Sequence, residues 1–539
     1  MARLDRLAPV KEIAQIGAAI GREFSHELLA AIANRPDAQL RDALEQLVSS
    51  GLILRRGSPQ RATFIFKHAL VQDAAYSTLL RRRRQELHAR IATALEERFA
   101  IDQQQEASAG EHAALLAHHW LRAEDGEKAL RYVLRAAEQA GKIYASPEAI
   151  NHYWQALSLL EQTPQAAAQT RTHTDTILSL VRLPGWVRDE AGKARMQRHL
   201  DQALTDAAVT NEIATMVRLE AIKGELCEDE ALLIGAVERA EDSTDLLAEA
   251  FAAIRYGNYL GQRGRFGEAL SHAARAIEIM GAQRELVGQG MMMANQGRCY
   301  HARAGALEEG LEYARRARQL GDVLGDARLR ASRGMEAEAY FYAGDWSRAI
   351  SAAEEALPLA WEIGDWGVVL WSSGWAAIAC LKLGRLADAR RLVDDAFARV
   401  PVRALHMALH VAYPQIALAE VHLAAAQTDQ ALRAAHQALG VSQRGRLALE
   451  EGAAHRVLGQ IHAAKGDNAE ADAAFRRSLN ILEEIQSRPE LAQTLLAYGR
   501  FRRGDNAQED RAMIERALGL FEAMNATGWI EEARIARAS

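Results

Sequence analysis

The residues best equipped for chemistry in this chain are basic or aromatic. Arg81, Arg82, Arg83 and Arg84 form an unbroken run, with His68 a short way upstream in "FKHALVQD". Guanidinium groups grip phosphates and carboxylates through forked donors of fixed geometry, so such a run invites a nucleic-acid reading. The helix that would have to enter a groove argues against it. "DAQLRDALEQLVSSG" (37–51) carries Arg41 against Asp37, Asp42 and Glu45, the wrong sign for approach to phosphate. Four consecutive residues on a helix also point all around its axis rather than along one face. Arg81–Arg84 are therefore expected to form a solvated or partner-paired interdomain face, and nucleic acid is not an expected partner.

The aromatic residues concentrate at Tyr340, Phe341, Tyr342, Trp346, Trp361, Trp366, Trp371 and Trp375. Two roles are open for them. Large rings can fill gaps between alanine-rich helices, or Tyr340, Trp346, Trp366, Trp371 and Trp375 can line a ligand or partner surface. The three methionines 291–293 fit core filling better than a functional box.

Other chemistries lack their residues. No glycine-rich loop with the Lys and Ser/Thr needed to cradle phosphates occurs, and "GQRGRFG" (261–267) belongs to a repeated turn. His112, His118 and His119 share one helix without a Cys or carboxylate to complete a metal site. Cys227, Cys299 and Cys380 form neither a disulfide framework nor a zinc spacing, which suits a reducing cytoplasm. The expectation is a chain without catalytic or metal residues, and with no cofactor of its own.

The elements that must position these residues are helical. Ala, Leu, Glu and Arg dominate a chain of 539 residues with only 10 prolines. Residues 1–100 carry 16 basic against 11 acidic residues (+5) and the remainder 49 against 60 (−11), together the net charge of −6. A mildly basic head thus precedes an acidic body. No stretch is apolar enough for a membrane span, and none is expected to meet a membrane.

From about residue 246 a phrase recurs, as in "GRFGEALSHAARAIE" and "GDWSRAISAAEEAL". Its turn residues are Gly264, Gly305, Gly344, Gly384, Ala426, Gly466 and Gly504, at steps of 41, 39, 40, 42, 40 and 38. Five residues after the turn lie Ala269, Gly310, Ala349, Ala389, Ala431 and Ala471; seven before it are small residues such as Gly257, Ala337, Ala377 and Gly459. Helices approach closely only through small facing residues, so the spacing predicts helical hairpins with a glycine of positive φ ending each first helix. The pattern resembles tetratricopeptide repeats, with a period near 40 instead of the usual 34. Longer helices, of the kind in the C-terminal arrays of maltose-regulon-activator-type regulators, account for the difference. "ASPEAINHYWQALSLLE" (145–161) and 182–204 read as degenerate members, which extends the solenoid over 108–539.

The head breaks this rhythm. Residues 8–21, 25–33 with a Ser25 cap, and 37–51 with an Asp37 cap read as three helices. "LILRR-GSPQ-RATFIF" then reads as a β-hairpin, and the whole as a winged helix.

"RLDRLAP…AAIGREFS…LVSSGLILRR…FIFKHALVQDAAYSTLLRRRRQELHARIA" is similar to the segment that follows the nucleotide-binding domain in bacterial signal-transduction ATPases with numerous domains. Many of these are fused to class III adenylate/guanylate cyclases and carry C-terminal tetratricopeptide arrays. The similarity covers about residues 1–105 and continues more weakly through the repeats. It implies a winged helix that closes over bound nucleotide, with a histidine in a Met-His-Asp-like motif contacting ADP. His68 is the matching residue; Lys67 and Ala69 stand where the motif has Met and Asp. A histidine that caps or packs at a helix start is the other reading.

The expected organisation is a winged helix at 1–80, a linking helix at 81–107, degenerate repeats at 108–245 and tetratricopeptide-like repeats at 246–539. The expected function is a non-catalytic sensor region of a signalling ATPase that binds a protein, peptide or small ligand. ATP or ADP would be met only through an upstream nucleotide-binding domain, in cis or in trans, from which this chain would be a fragment. A free-standing interaction scaffold and a winged-helix transcriptional regulator are the alternatives.

Overall fold

The computed structural model describes residues 8–57, 62–101, 112–142, 146–162, 167–183, 186, 189–401, 408–502 and 507–538. It divides into two units, Met1–Trp186 and Val187–Ser539. The hairpins nearest the head belong to the first of these.

Unit 1 begins with α1 (Ala8–Ile20), β1 (Glu23–Ser25), α2 (His26–Ala33), α3 (Asp37–Ser49), β2 (Ile53–Arg56) and β3 (Thr63–Phe66). The strands form one antiparallel sheet in the order β1-β3-β2. This is winged-helix topology with one strand more than the sequence suggested. Phe24 makes the difference: it pairs across from Phe64 and packs against Phe64 and Phe66, while Gly17 of α1 leaves room for its ring. Phe64 and Phe66 are buried and Thr63 and Ile65 half-buried, the two-residue period of a one-sided sheet. Leu29, Leu40, Leu44 and Leu47 cover that face from α2 and α3.

Ser25 caps α2 as expected, accepting from Leu28 N at 3.2 Å. Asp37 does not cap α3; Pro36 holds that position and Asp37 begins the helix, where its carboxylate pairs with Arg41 one turn on. Most of the Gly-Ser-Pro turn lies outside the described residues. After the sheet come α4 (Ala69–Ser77), α5 (Arg81–Ile101), α6 (Ala113–Ala123), α7 (Gly126–Lys142), α8 (Ser146–Glu161) and α9 (Ala167–Leu180).

Unit 2 is a solenoid of paired helices. It opens with α10 (Glu190–Thr210), α11 (Ile213–Cys227) and α12 (Glu230–Glu241), then α13 (Leu246–Gln262) and α14 (Phe266–Ala282). The next first helix is interrupted: α15 (Leu286–Met292) and α16 (Arg298–Ala304) flank a π-turn at Met293–Gly297, and α17 (Leu307–Leu324) pairs with them. In the following one, α18 (Ala327–Ala331) and α19 (Glu336–Tyr342) flank a 3₁₀ turn and pair with α20 (Trp346–Ile363). Regular hairpins then run as α21 (Trp366–Lys382) with α22 (Leu386–Arg399), α23 (Ala408–Ala424) with α24 (Thr428–Arg444), and α25 (Ala448–Lys465) with α26 (Asn468–Glu484). The described part ends with α27 (Arg488–Phe501), α28 (Ala507–Ala523) and α29 (Thr527–Ala538).

The register read from the turns holds. Gly264, Gly305, Gly344, Gly384 and Gly466 all have positive φ, and Ala426 adopts φ 58° in the same place. Gly504 is outside the described residues. Ala269, Ala349, Ala389, Ala431 and Ala471 are completely buried in the seams. A Cβ on Gly459 would fall 2.9 Å from the Phe475 ring, which is why the helices need a small residue there.

The solenoid also touches itself. A Cβ on Gly305 would meet the Met524 sulfur at 2.8 Å, and one on Gly344 the backbone nitrogen of Gly528 at 2.5 Å. Ser487 Oγ donates to the carbonyl of Arg303 at 2.9 Å. Turns 184 to 219 residues apart therefore abut, and the face that the first helices present inward meets other first helices of the same array.

Candidate functional site

Each residue singled out in the head has a definite place. His68 is the cap residue of α4 and extended (φ −132°, ψ 137°), but its side chain makes no capping bond. It is exposed together with Lys67, Ala69 and Leu70, and Leu70 is 80% accessible. The histidine side chain thus neither caps the helix nor packs into the core.

The four arginines are bound inside unit 1. Arg81 forks onto Glu124 at the end of α6, with contacts of 2.7 and 2.8 Å, and the Glu124 carboxyl is held below its usual range by that bond. Arg82 pairs with Glu86 at 3.2 Å, and Arg83 with Glu12 of α1 at 3.2 Å. Arg84 donates to the carbonyls of Leu79 and Ser77 at 2.8 and 3.2 Å and lies over the Tyr76 ring. Because consecutive arginines point in all directions, they tie α5 to α1, α4 and α6 at once. Arg81, Trp120, Glu124, Gln155, Ser158 and Gln162 border an open cleft of about 580 Å³.

His119 has a partner the sequence did not suggest. Its Nδ1 faces His88 Nδ1 at 2.8 Å, and His88 Nε2 meets the Tyr76 hydroxyl at 2.9 Å. Burial, with His118 and Arg122 nearby, lowers the His88 pKa to about 4; burial and the neighbouring histidines lower His119 to about 3. Among the described residues no three His, Cys, Asp or Glu are placed to hold a metal ion.

The aromatic residues of unit 2 split into two groups. Trp366 is half-buried and meets Trp361 edge-on at 5.9 Å, with the Arg399 guanidinium over Trp361. Trp371 and Trp375 lie in the core; Trp375 stacks on Tyr413 at 3.7 Å and also touches Phe341 and Tyr342. Tyr340 and Trp346 are half-buried at its edge. Trp529 of α29 is set edge-on against both Phe341 and Trp346.

Around those rings runs a buried ionic network. Glu338 accepts from Arg298 at 2.7 Å and from Arg303 at 3.0 Å, and Arg303 also reaches Glu450 at 2.7 Å. Glu490 Oε1 accepts the hydroxyls of Tyr342 and Tyr413 at 3.0 and 2.8 Å, while Arg456 bridges Glu490 and Glu420. Burial raises the Glu490 pKa against the pull of Arg456 and the two hydroxyls. Burial opposes charge on Arg456, yet Glu490 and Glu420 raise its pKa above the ordinary value.

The network has a register. Arg303, Tyr342 and Lys382 each stand two residues before a turn glycine, and reach Glu450, Glu490 and Glu532 at separations of 147, 148 and 150 residues. Glu450 and Glu490 sit in the first turn of their helices, where the helix dipole favours a carboxylate. One signal was readable beforehand: Arg298 occupies the position seven before the turn where the other repeats have a small residue.

The fold of unit 2 is tetratricopeptide-like. No family model matches the chain. An uncharacterised protein of Rhizobium meliloti (strain 1021) is 30% identical over 167 residues, a match covering 30% of this chain and 16% of that protein. The chain therefore spans a small part of that relative's length. Among solved structures, a Rap protein complexed with competence and sporulation factor aligns with 74% of this chain and 99% of its own (12% identity, TM-score 0.47). A signal-transduction ATPase with a tetratricopeptide repeat sensor from Pyrococcus horikoshii aligns with 81% of this chain and 64% of its own (14% identity, TM-score 0.41). The Cut9 and Hcn1 hetero-tetramer of the APC/C aligns over 87% and 95% (14% identity, TM-score 0.43). No helix among the described residues is long and apolar enough to cross a membrane.

Proposed function

We propose that this chain is a non-catalytic interaction and coupling region of a signalling ATPase. Its head docks on a nucleotide-binding domain, in cis or in trans, and its repeats receive a protein or peptide. The observation that carries the reading is the exposed stretch Lys67–Leu70 at the junction of β3 and α4, with an 80% accessible leucine beside His68. A winged module gains nothing in its own core from that leucine, whereas a docked domain would cover it and bring His68 to the nucleotide. ATP or ADP would reach the chain only through that domain. Binding along the repeats would then shift the head between docked and free states by no more than the partner's differential affinity for the two.

The test is co-expression with a P-loop domain encoded upstream of Met1. Co-purification that is tighter with ADP, and that weakens on His68→Ala or Leu70→Ser, is the expected result. A head that ignores the domain in both nucleotide states refutes the reading.

A free-standing interaction scaffold is the second reading, favoured by the arginines being paired inside unit 1. The transcriptional reading has less behind it. Asp42 and Glu45 are exposed on α3, and Arg41 is taken up by Asp37.

A further inference from the structure

The last helix of the chain lies in the aromatic region as a ligand would. Trp529 is 3% exposed and its indole N–H donates to the carbonyl of Phe341, in the last turn of α19, at 3.0 Å. Phe341 and Trp346 present their rings edge-on to it at 5.5 and 5.9 Å. Lys382 Nζ sits 4.0 Å from the Trp529 ring centre and 3.0 and 3.1 Å from the two carboxylate oxygens of Glu532. Gly528 and Gly344 let the two turns meet backbone to backbone.

We propose that the socket formed by Phe341, Trp346 and Lys382 is a docking site for a partner helix of pattern Gly-Trp-x-x-Glu, and that α29 is its resident occupant. Trp and Glu three positions apart share a helix face, so one turn carries both anchors. The remaining buried positions of α29 are Ala533 and Ala536, and Ile535 is 59% exposed. The helix thus rests chiefly on Trp529, which also stacks on Phe521 at 5.4 Å, with Ile530 half-buried beside it and the Glu532 carboxylate shared between Lys382 and Arg500.

Lys382 makes the socket selective. The Lys382 side chain is half-buried, and burial lowers its pKa against the opposing pull of Glu532 and Glu420. A helix that brought the indole without the carboxylate would leave that charge unpaired. A partner must also displace a helix tethered a few residues away, at an effective concentration of order millimolar. The socket is therefore closed to weak binders and opens to a matching helix at high local concentration.

This inference stands apart from the ATPase reading, since it needs only contacts within unit 2 and its test uses no nucleotide. The probe is a fluorescent peptide of residues 526–538, added to the full chain and read by anisotropy. Trp529→Ala/Glu532→Ala should bind it about tenfold or more tightly than wild type, by vacating the socket. Adding Lys382→Glu should abolish the gain, and a peptide with Lys in place of Glu532 should restore it. A variant that keeps its helical circular dichroism and cooperative melt but captures no peptide overturns the proposal, as does equal capture of a peptide lacking the indole. Should the double variant unfold, Glu532→Gln alone must capture more peptide than wild type, and failure there overturns the proposal too.

Discussion

Arg303 and Glu450 are 147 residues apart in the chain and 2.7 Å apart in space, with 2% and 1% of their side chains exposed. The pair joins first helices four repeats apart, so it reports on closure of the array and not on any single hairpin. Arg303→Met leaves the Glu450 carboxylate buried without its guanidinium and should cost about 3–5 kcal/mol in denaturant unfolding. Arg303→Met/Glu450→Met removes both charges while Arg298 still holds Glu338, and should recover most of that loss. A double-variant loss equal to the sum of the Arg303→Met and Glu450→Met losses would show that the two residues are not coupled.

Gly344 and Gly384 occupy the same repeat position with φ of 76° and 70°, but only one of them touches another turn. Alanine at Gly384 meets nothing within 4 Å and should cost the left-handed backbone penalty alone, about 1–2 kcal/mol. Alanine at Gly344 adds a methyl directed at the backbone of Gly528, which cannot rotate away. Its cost should exceed that of Gly384→Ala by roughly 1–3 kcal/mol, the range for overpacking. Paired thermal melts decide it, and identical losses would mean that the turns do not abut in solution.

The contrast shows what a sequence can and cannot reveal in a repeat protein. Local periodicity marks the hairpins, the positive-φ turns and the small-residue seams, since each depends on neighbours within about forty residues. Superhelical closure depends on the summed rotation of four repeats, which no single phrase encodes. The repeat phrase therefore marks neither Arg303 nor Lys382, and Tyr342 stands out in it only as an aromatic residue. The tryptophans were conspicuous for a similar reason. Trp371 and Trp375 serve the core, while Trp529, isolated in the sequence, packs edge-on against Phe341 and Trp346. In the head, Phe24 of β1 was hidden because a three-residue strand carries too little alternation to register.

The arginine run offers a graded test. Arg82 is 92% exposed and pairs with Glu86 on its own helix, so Arg82→Ala should leave the melting temperature unchanged. Arg84 satisfies two carbonyls at the end of α4 and covers Tyr76, so Arg84→Ala should destabilise by about 1 kcal/mol. Neither substitution, nor all four arginines changed to alanine, should alter retention on duplex DNA at low salt. A salt-dependent affinity lost in the quadruple variant would restore the nucleic-acid reading.

The histidine pair sets an acid limit on unit 1. His88 on α5 faces Tyr76 from α4, Arg84 from its own helix, and His118, His119 and Arg122 from α6, with no carboxylate among these neighbours. The Nδ1 atoms of His88 and His119 share one proton, and a second would set two N–H groups against each other. The folded pKa of His88, about 4, lies below the usual 6.5, so the unfolded chain binds more protons between those values. Stability from this group is complete above pH 6.5 and is lost as pH falls toward 4, by on the order of 3 kcal/mol for His88. His119, lowered to about 3, extends the loss further into acid. Melts of the full chain between pH 7 and 4 should show unit 1 weakening first. His88→Gln, which cannot charge, should flatten the pH slope whether or not it lowers stability at pH 7. An unchanged slope in that variant would assign the acid sensitivity to carboxylates elsewhere.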